Sequence, residues 1–438
     1  MKITTQMDGD MQSTYATSLL KQEQFPESLK FYFKRKHFKD QQDQLSELQD
    51  LVRPRLRIAI VTETWPPEIN GVAMSMMQLC QGLQRLGHKI LLVRPVQKNV
   101  CTEFHPDQEC LVFSQPVPKY PSVQLGWPQY LKVSKAFEKF APDVVHIVTE
   151  GPLGLTALQA AKSKKIAVSS GFHSAFHDFS RFFDLAFLVK PIQRYLTWFH
   201  NSTDVTCVPS QYTEQALRGF GVTCPLVVVG RGVDTAKFSP KHRSQQLRQR
   251  WGVDADTRVL LYVGRLSPEK EVDVLIKSFH ALRTQQGTNF KFVIVGDGPD
   301  RARLGKLAQS NDVIFMGSLS GRELSEAYAS ADVFTFASQA DTFGNVVLEA
   351  IASGLPVVAY DYVAAHQHIK HDVTGWLSPL GHTTDLIQSI CHLPALPQLR
   401  QMGLLASESV QETSWQFPVQ QLEQALYQVA KESPMTSS

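Results

Sequence analysis

The feature that most constrains this chain is a rhythm that runs twice along it. From Arg57 an apolar run suited to a buried strand, RIAIVTE, precedes Val72, Met76, Leu79, Leu83 and Leu86 at helical spacing up to Gly87. KILLVRP (89–95) follows, and DVVHIV (143–148), IAVSSGFH (166–173) and DVTCVPS (204–210) continue the pattern. After GRGVDTAKFSPKHR (230–243) it restarts with VLLYVGR (259–265), FKFVIVGDG (290–298), VIFMGS (313–318), VFTFAS (333–338) and LPVVAYD (355–361). Apolar strands alternating with helices must be covered on both faces, which predicts parallel sheets. Two such series predict an α/β chain of two doubly wound Rossmann-like domains facing a central cleft. The length, 438 residues, agrees, because it exceeds what one ordinary core organises.

The expected divisions are a basic-aromatic extension over 1–50, an N-terminal domain over 51–232 and a C-terminal domain over 233–410. A terminal helix and short tail complete the chain over 411–438, with SWQFPVQQLEQALYQVAKE (414–432) as the helical pattern. In the extension, Lys30, Lys34, Arg35, Lys36 and Lys39 interleave with Phe31, Tyr32, Phe33 and Phe38. That pattern suits either a helix lying on anionic headgroups or one docked on its own domain.

A net charge of +3 points away from nucleic acid as the main partner. Six cysteines without a CxxC pair, and a start lacking an apolar secretory core, lead to a cytoplasmic expectation. No run of about 18 apolar residues would span a bilayer, so any membrane contact would be peripheral, at the inner face.

Ligands of such sheets bind beyond the carboxyl ends of the strands, so the strand-to-helix turns carry the chemistry. In VGRLSPEKEVDVL (263–275), Arg265 and Lys270 precede a helix and form a cradle for a diphosphate. The plainer alternative is that Lys270 pairs with Glu269 or Glu271. In DTFGNVVLEAIASGLPVVAYD (341–361), a helix starting near Gly344 and stopping at Gly354 leaves Asp341 in the loop. There Phe343, Gly344 and Asn345 would offer backbone N–H groups, and Glu349 could accept from a vicinal diol. The plainer alternative has Asp341 or Thr342 capping the helix and Glu349 solvated. In ETWPPEINGVAMS (63–75), Gly71 opens a helix and permits close approach of an anion. His173 in SGFHSAFHDF (170–179) sits just past a strand end, where an imidazole can bond a substrate hydroxyl. GxGxxG, Walker, GxSxG and HExxH patterns are missing, and Asp8/Asp10 and Asp254/Asp256 do not end apolar strands. Neither a cofactor nor a metal is expected.

In order along the chain, PPEINGV, GFHSAFHDF, GRGVDTAKFSP, VGRLSPEK, VGDGP, DTFGNVVLEAIASGLPVVA and VTGWL (373–377) resemble the retaining, nucleotide-sugar-dependent glycosyltransferases of family 4. The likeness runs from about Arg57 to the terminal helix. It implies the two-domain fold called GT-B, with the last helix crossing back to the N-terminal domain. It further implies that Arg265 and Lys270 hold the donor diphosphate, Glu349 the ribose hydroxyls, and Gly71 the phosphates from the opposite domain. Asp341 takes the place of the family's first glutamate, which meets the donor sugar together with backbone from Phe343 to Asn345, and His173 lies near the transferred sugar. Asp341 is one methylene shorter than that glutamate, so its contact with the sugar is lost or bridged by water. TEGPLG (149–154) and FHSAFHDF resemble a subgroup containing lipid glycosyltransferases and mannosyltransferases. The aromatic and basic segment DFSRFFDLAFLVKPIQRYLTWFH (178–200) suits a lipid-linked hydroxyl acceptor, or else a buried or dimer-forming helix. The donor implied is GDP-mannose or a UDP-hexose. Two rivals share the architecture: a nucleotide-sugar epimerase and a non-catalytic sugar-nucleotide-binding protein.

Overall fold

The computed structural model describes residues 54–432 apart from 69, 98–101, 118–119, 174–188 and 342. The basic-aromatic segment expected over 1–50, residues 178–188 of the aromatic segment and the tail after 432 lie outside the described residues. From Leu56 onward the chain forms one compact unit.

The first sheet contains β1 (Arg57–Val61), β2 (Lys89–Pro95), β3 (Gln108–Val112), β6 (Val144–Ile147), β7 (Ala167–Gly171), β8 (Val205–Val208) and β9 (Leu226–Val228). Their order is β3-β2-β1-β6-β7-β8-β9 and every neighbouring pair is parallel. A separate antiparallel hairpin, β4 (Ser114–Val117) with β5 (Tyr120–Gly126), follows β3. The second sheet, β12-β11-β10-β13-β14-β15, repeats the parallel design. Its strands are β10 (Arg258–Val263), β11 (Phe290–Val295), β12 (Val313–Gly317), β13 (Val333–Phe336), β14 (Val357–Tyr360) and β15 (Gly375–Ser378). Central strands such as β1, β6 and β13 are buried on both faces, and so mostly apolar, because helices cover both sides.

On one face of the first sheet lie α1 (Gly71–Arg85) and α7 (Gln416–Glu432). Met76, Leu79 and Leu83 share a buried cluster there with Val419, Leu422, Ala425, Leu426 and Val429. On the other face, α2 (Tyr130–Phe140), α3 (Pro152–Ser163) and α4 (Val189–Asn201) contribute Phe137, Ala157 and Phe199 to a second cluster. The second sheet has its own core, which includes α5 (Val272–Gln286) and α6 (Asn345–Ala352).

Strand order reverses between β1 and β6 and again between β10 and β13. The crevices at those two switch points receive the loops after β1, β6, β10 and β13, the sites where ligands bind in such sheets.

Candidate functional site

The loops after β10 and β13 meet because those strands are hydrogen-bonded neighbours. After Val263 the chain turns through Gly264 and Arg265, makes a short 3-10 turn at Pro268–Lys270, and enters α5. This turn packs tightly on the GDGP loop. A Cβ on Gly296 would lie 1.9 Å from the Gly264 carbonyl oxygen, so glycine there serves backbone packing between adjacent loops. Arg265 is left exposed. Lys270 is not: its ammonium donates to Asp341 Oδ2 at 2.6 Å, the Ala340 carbonyl at 2.9 Å and Ser338 Oγ at 3.2 Å. All three N–H bonds are thereby directed by the loop after β13. Glu269 instead accepts from Ser267, and Glu271 from Gln339 and Tyr360. The structure thus brings together two residues singled out from separate motifs and sets aside the local pairing with Glu269 or Glu271.

The start of α6 is open. Its N-cap is Gly344 at φ +87°, a left-handed conformation that a side chain would strain, and no side chain caps the helix. Asp341 is therefore spent on Lys270. Phe343 is buried, and its carbonyl accepts from Ala364 N. Asn345 reaches across to the other sheet's domain, where its Nδ2 donates to Ser75 Oγ at 2.9 Å and lies 3.4 Å from the Gly71 carbonyl oxygen. Two helix N-termini, those of α1 and α6, converge on the same gap.

One turn into α6, Glu349 is half-buried and accepts from Tyr328 at 2.9 Å, so it is not simply solvated. Burial raises its carboxyl to about 7, against the lowering effects of the Tyr328 hydroxyl and the Lys237 charge.

His173 is attached to Arg231, whose guanidinium donates to Nδ1 at 2.9 Å. An arginine only donates, so the imidazole proton sits on Nε2. Burial, then the Arg231 charge, hold His173 well below its usual range, and it is a neutral donor at physiological pH. Burial also lowers Arg231, to about 10.

Just past the carboxyl ends of β1 and β6 lies a buried acid group that explains TEGPLG. Glu63 Oε1 accepts from Leu153 N at the start of α3 at 2.8 Å, and burial first, then Glu150, raise its carboxyl to about 7. A Cβ on Gly151 would lie 2.1 Å from Glu63 Oε2, so this motif needs glycine to admit the carboxylate. Glu150 pairs with His200 at 3.2 Å. Among the described residues no group of three or more His, Cys, Asp and Glu side chains is placed to hold a metal ion.

A family model described as Glycosyltransferase Family 4 matches residues 69–237, and one described as Glycosyl transferases group 1 matches 243–402. The GDP-mannose-dependent alpha-mannosyltransferase of Mycobacterium tuberculosis is 34% identical over 82% of this chain and 93% of its own. The chain belongs to glycosyltransferase family 4. This glycosyltransferase is also 28% identical to the alpha-monoglucosyldiacylglycerol synthase of Streptococcus pneumoniae, over 70% of this chain and 71% of that one. Its fold matches that of Anabaena Alr3699/HepE, solved with UDP and glucose, at a TM-score of 0.68 and 20% identity. The match covers 85% of this chain and all of the other, which makes the architecture GT-B. The kinship falls within the mannosyltransferase and lipid-glycosyltransferase side of the family.

Motif reading of this glycosyltransferase missed Arg231 and Lys237, although both lie in the GRGVDTAKFSP segment that helped carry the resemblance. It also missed Tyr328 and Ser75. No spacing rule pairs such residues with partners on another element.

Proposed function

We propose that this glycosyltransferase moves a hexose, with retention of configuration, from a nucleoside diphosphate sugar to a hydroxyl of a lipid-linked acceptor, without a metal. GDP-mannose and UDP-hexoses are the donors considered. The carrying observation is the switch-point geometry: exposed Arg265, loop-held Lys270 and the open start of α6 meet the start of α1 across one gap.

Breaking the bond from the anomeric carbon to phosphate leaves positive charge on the sugar and negative charge on the diphosphate. Arg265, Lys270 and the N–H groups near Phe343, Gly344 and Asn345 stabilise the latter, each good donor contributing roughly 3 kcal/mol. The departing phosphate takes the acceptor proton as the hydroxyl attacks from the same face. Glu349 binds the ribose hydroxyls, and Gly71 lets the opposite domain approach the phosphates. Lys270 must exchange an acceptor when the donor arrives, which gives Asp341 the role of aiming the ammonium. Neutral His173 supplies a hydrogen bond near the transferred sugar.

The acceptor reading draws on α4, which exposes Lys190, Arg194 and Trp198 on the N-terminal side, and on the lipid product in the pneumococcal relative's name. No helix among the described residues is long and apolar enough to cross a membrane, so the proposed contact is peripheral, at the cytoplasmic face. A thermal-shift panel of GDP, UDP and ADP with their sugars tests the donor, followed by transfer assays with lipid acceptors in EDTA. One nucleotide series should raise the melting temperature and transfer should persist. No stabilisation by any nucleotide, or a strict divalent requirement, would overturn the reading, and isomerised donor without acceptor would point to an epimerase.

A further inference from the structure

Where the β4–β5 hairpin meets α2, three large apolar side chains stand in water, and none of the roles above uses them. Phe113 and Trp127 flank the hairpin's end pair, Ser114 and Gly126, and Trp127 N donates to the Phe113 carbonyl oxygen at 2.8 Å. Phe113 is 67% exposed, Trp127 54% and Leu131, in the first turn of α2, 75%, the highest value for a large hydrophobic side chain among the described residues. The helix is tied to the hairpin here. Gln129 Oε1 accepts from Phe113 N at 2.9 Å, and the Lys132 ammonium lies 6.0 Å from the centre of the Phe113 ring. The charge around these side chains is of one sign. α2 buries Val133, Phe137 and Phe140 and turns Lys132, Lys135 and Lys139 outward at helical spacing. Beside it, the end of α3 and the turn that follows carry Lys162, Lys164 and Lys165, and Tyr130 Oη donates to Ser163 Oγ at 3.0 Å to join the two helices. Glu138 is the one acid in residues 130–140 and 152–165, and it is paired with Lys164.

We propose that this patch docks the protein on an anionic lipid bilayer: Phe113, Trp127 and Leu131 enter the boundary between headgroups and acyl chains, and the lysines of α2 and α3 meet the headgroup charge. The proposal rests on the peripheral-membrane reading above and deepens it. The exposed Lys190, Arg194 and Trp198 of α4 lie on the same side of the first sheet and extend the surface. A second copy of the chain is the poorer match, because a twofold contact through this patch would set lysine against lysine. A polyanion in water would satisfy the lysines and leave the three apolar side chains solvated. A bilayer surface takes up both, since it lays charge over an apolar layer. Docking through this face brings the first sheet's half, the acceptor side in the reading above, to the layer that holds a lipid-linked hydroxyl.

Flotation of the full chain with vesicles of phosphatidylcholine alone, and of phosphatidylcholine and phosphatidylglycerol in equal parts, tests this. Wild type should float with the mixed vesicles and far less with the neutral ones. Salt at about 1 M should release it, because the Debye length then falls to about 3 Å. Two combined variants separate the contributions: Phe113→Ser with Trp127→Ser and Leu131→Ser, and Lys132→Gln with Lys135→Gln and Lys139→Gln. Each should bind the mixed vesicles at least about tenfold more weakly. All six positions are exposed, so circular dichroism and nucleoside diphosphate binding should match wild type, which distinguishes lost docking from lost fold. Lys190→Gln with Arg194→Gln serves as the comparison on α4. Unchanged flotation in either patch variant, or a loss confined to the α4 variant, would overturn the proposal while leaving the peripheral-membrane reading standing. Equal binding to neutral vesicles would overturn the charge match on which it depends, and failure of wild type to float with either vesicle would overturn both readings.

Discussion

Replacing Glu349 with Gln should make the ligand-free protein more stable in mild alkali and a poorer binder of its nucleotide. The Glu349 carboxyl sits at about 7 in the folded chain against an ordinary 4.5, with burial the leading cause. The folded state thus holds this proton more tightly than the unfolded state. The stability it contributes is complete below about pH 4.5 and is lost as pH rises through about 7. That separation corresponds to about 3 kcal/mol as an upper bound, since the side chain is half-buried and water relaxes part of it. Glutamine carries no charge to bury and still accepts from Tyr328, so Glu349→Gln avoids the loss. Its melting temperature at pH 8.5 should exceed that of wild type by on the order of 5 °C, and the difference should close at pH 5. Glu63 titrates over the same range, so the comparison has to be between the two proteins at each pH, not across pH in one of them. The same variant should bind nucleoside diphosphate about tenfold more weakly, because a carboxylate accepting from a diol is replaced by a neutral amide. Differential scanning fluorimetry at both pH values and titration calorimetry read the two effects. A variant no more stable than wild type at pH 8.5, or equally advantaged at pH 5, would refute the argument.

Arg265→Ala or Lys270→Ala should each lower kcat/KM by at least about tenfold to a hundredfold while circular dichroism stays unchanged, and normal kinetics in both would remove the pair from the chemistry. Asp341→Asn, which removes the counter-charge from Lys270, should change affinity for the bare nucleoside diphosphate as much as for its sugar. A change confined to the sugar nucleotide in calorimetry would return Asp341 to direct sugar recognition.

How far the sequence disclosed this arrangement depends on the kind of contact involved. The central strands were readable because covering both faces makes them continuous apolar runs, as in KILLVRP, which is β2 from end to end. The edge elements were not. β9 is only the three half-buried residues LVV, and β3 opens on polar Gln108 and Glu109 and carries only CLV, so each apolar run is too short to stand out as a strand. The hairpin β4–β5 is interrupted by prolines that mask its pattern. In the site, Arg265, Lys270 and Asp341 could each be placed at a strand end. Their pairing could not, because the contact between Lys270 and Asp341 spans 71 residues and exists only because β10 and β13 are neighbours.

The helix Gln416–Glu432 gives the chain an unusual order of assembly. Val419, Leu422, Ala425, Leu426 and Val429 fill the interior beside α1, so the first sheet's half remains unfinished until this helix, which follows the whole second sheet in the chain, has been made. Deleting that helix would therefore strip the N-terminal half of its cover and expose Met76, Leu79 and Leu83 to water. A fragment ending near residue 232 should aggregate when made alone and become soluble when that short helix is supplied as a separate peptide.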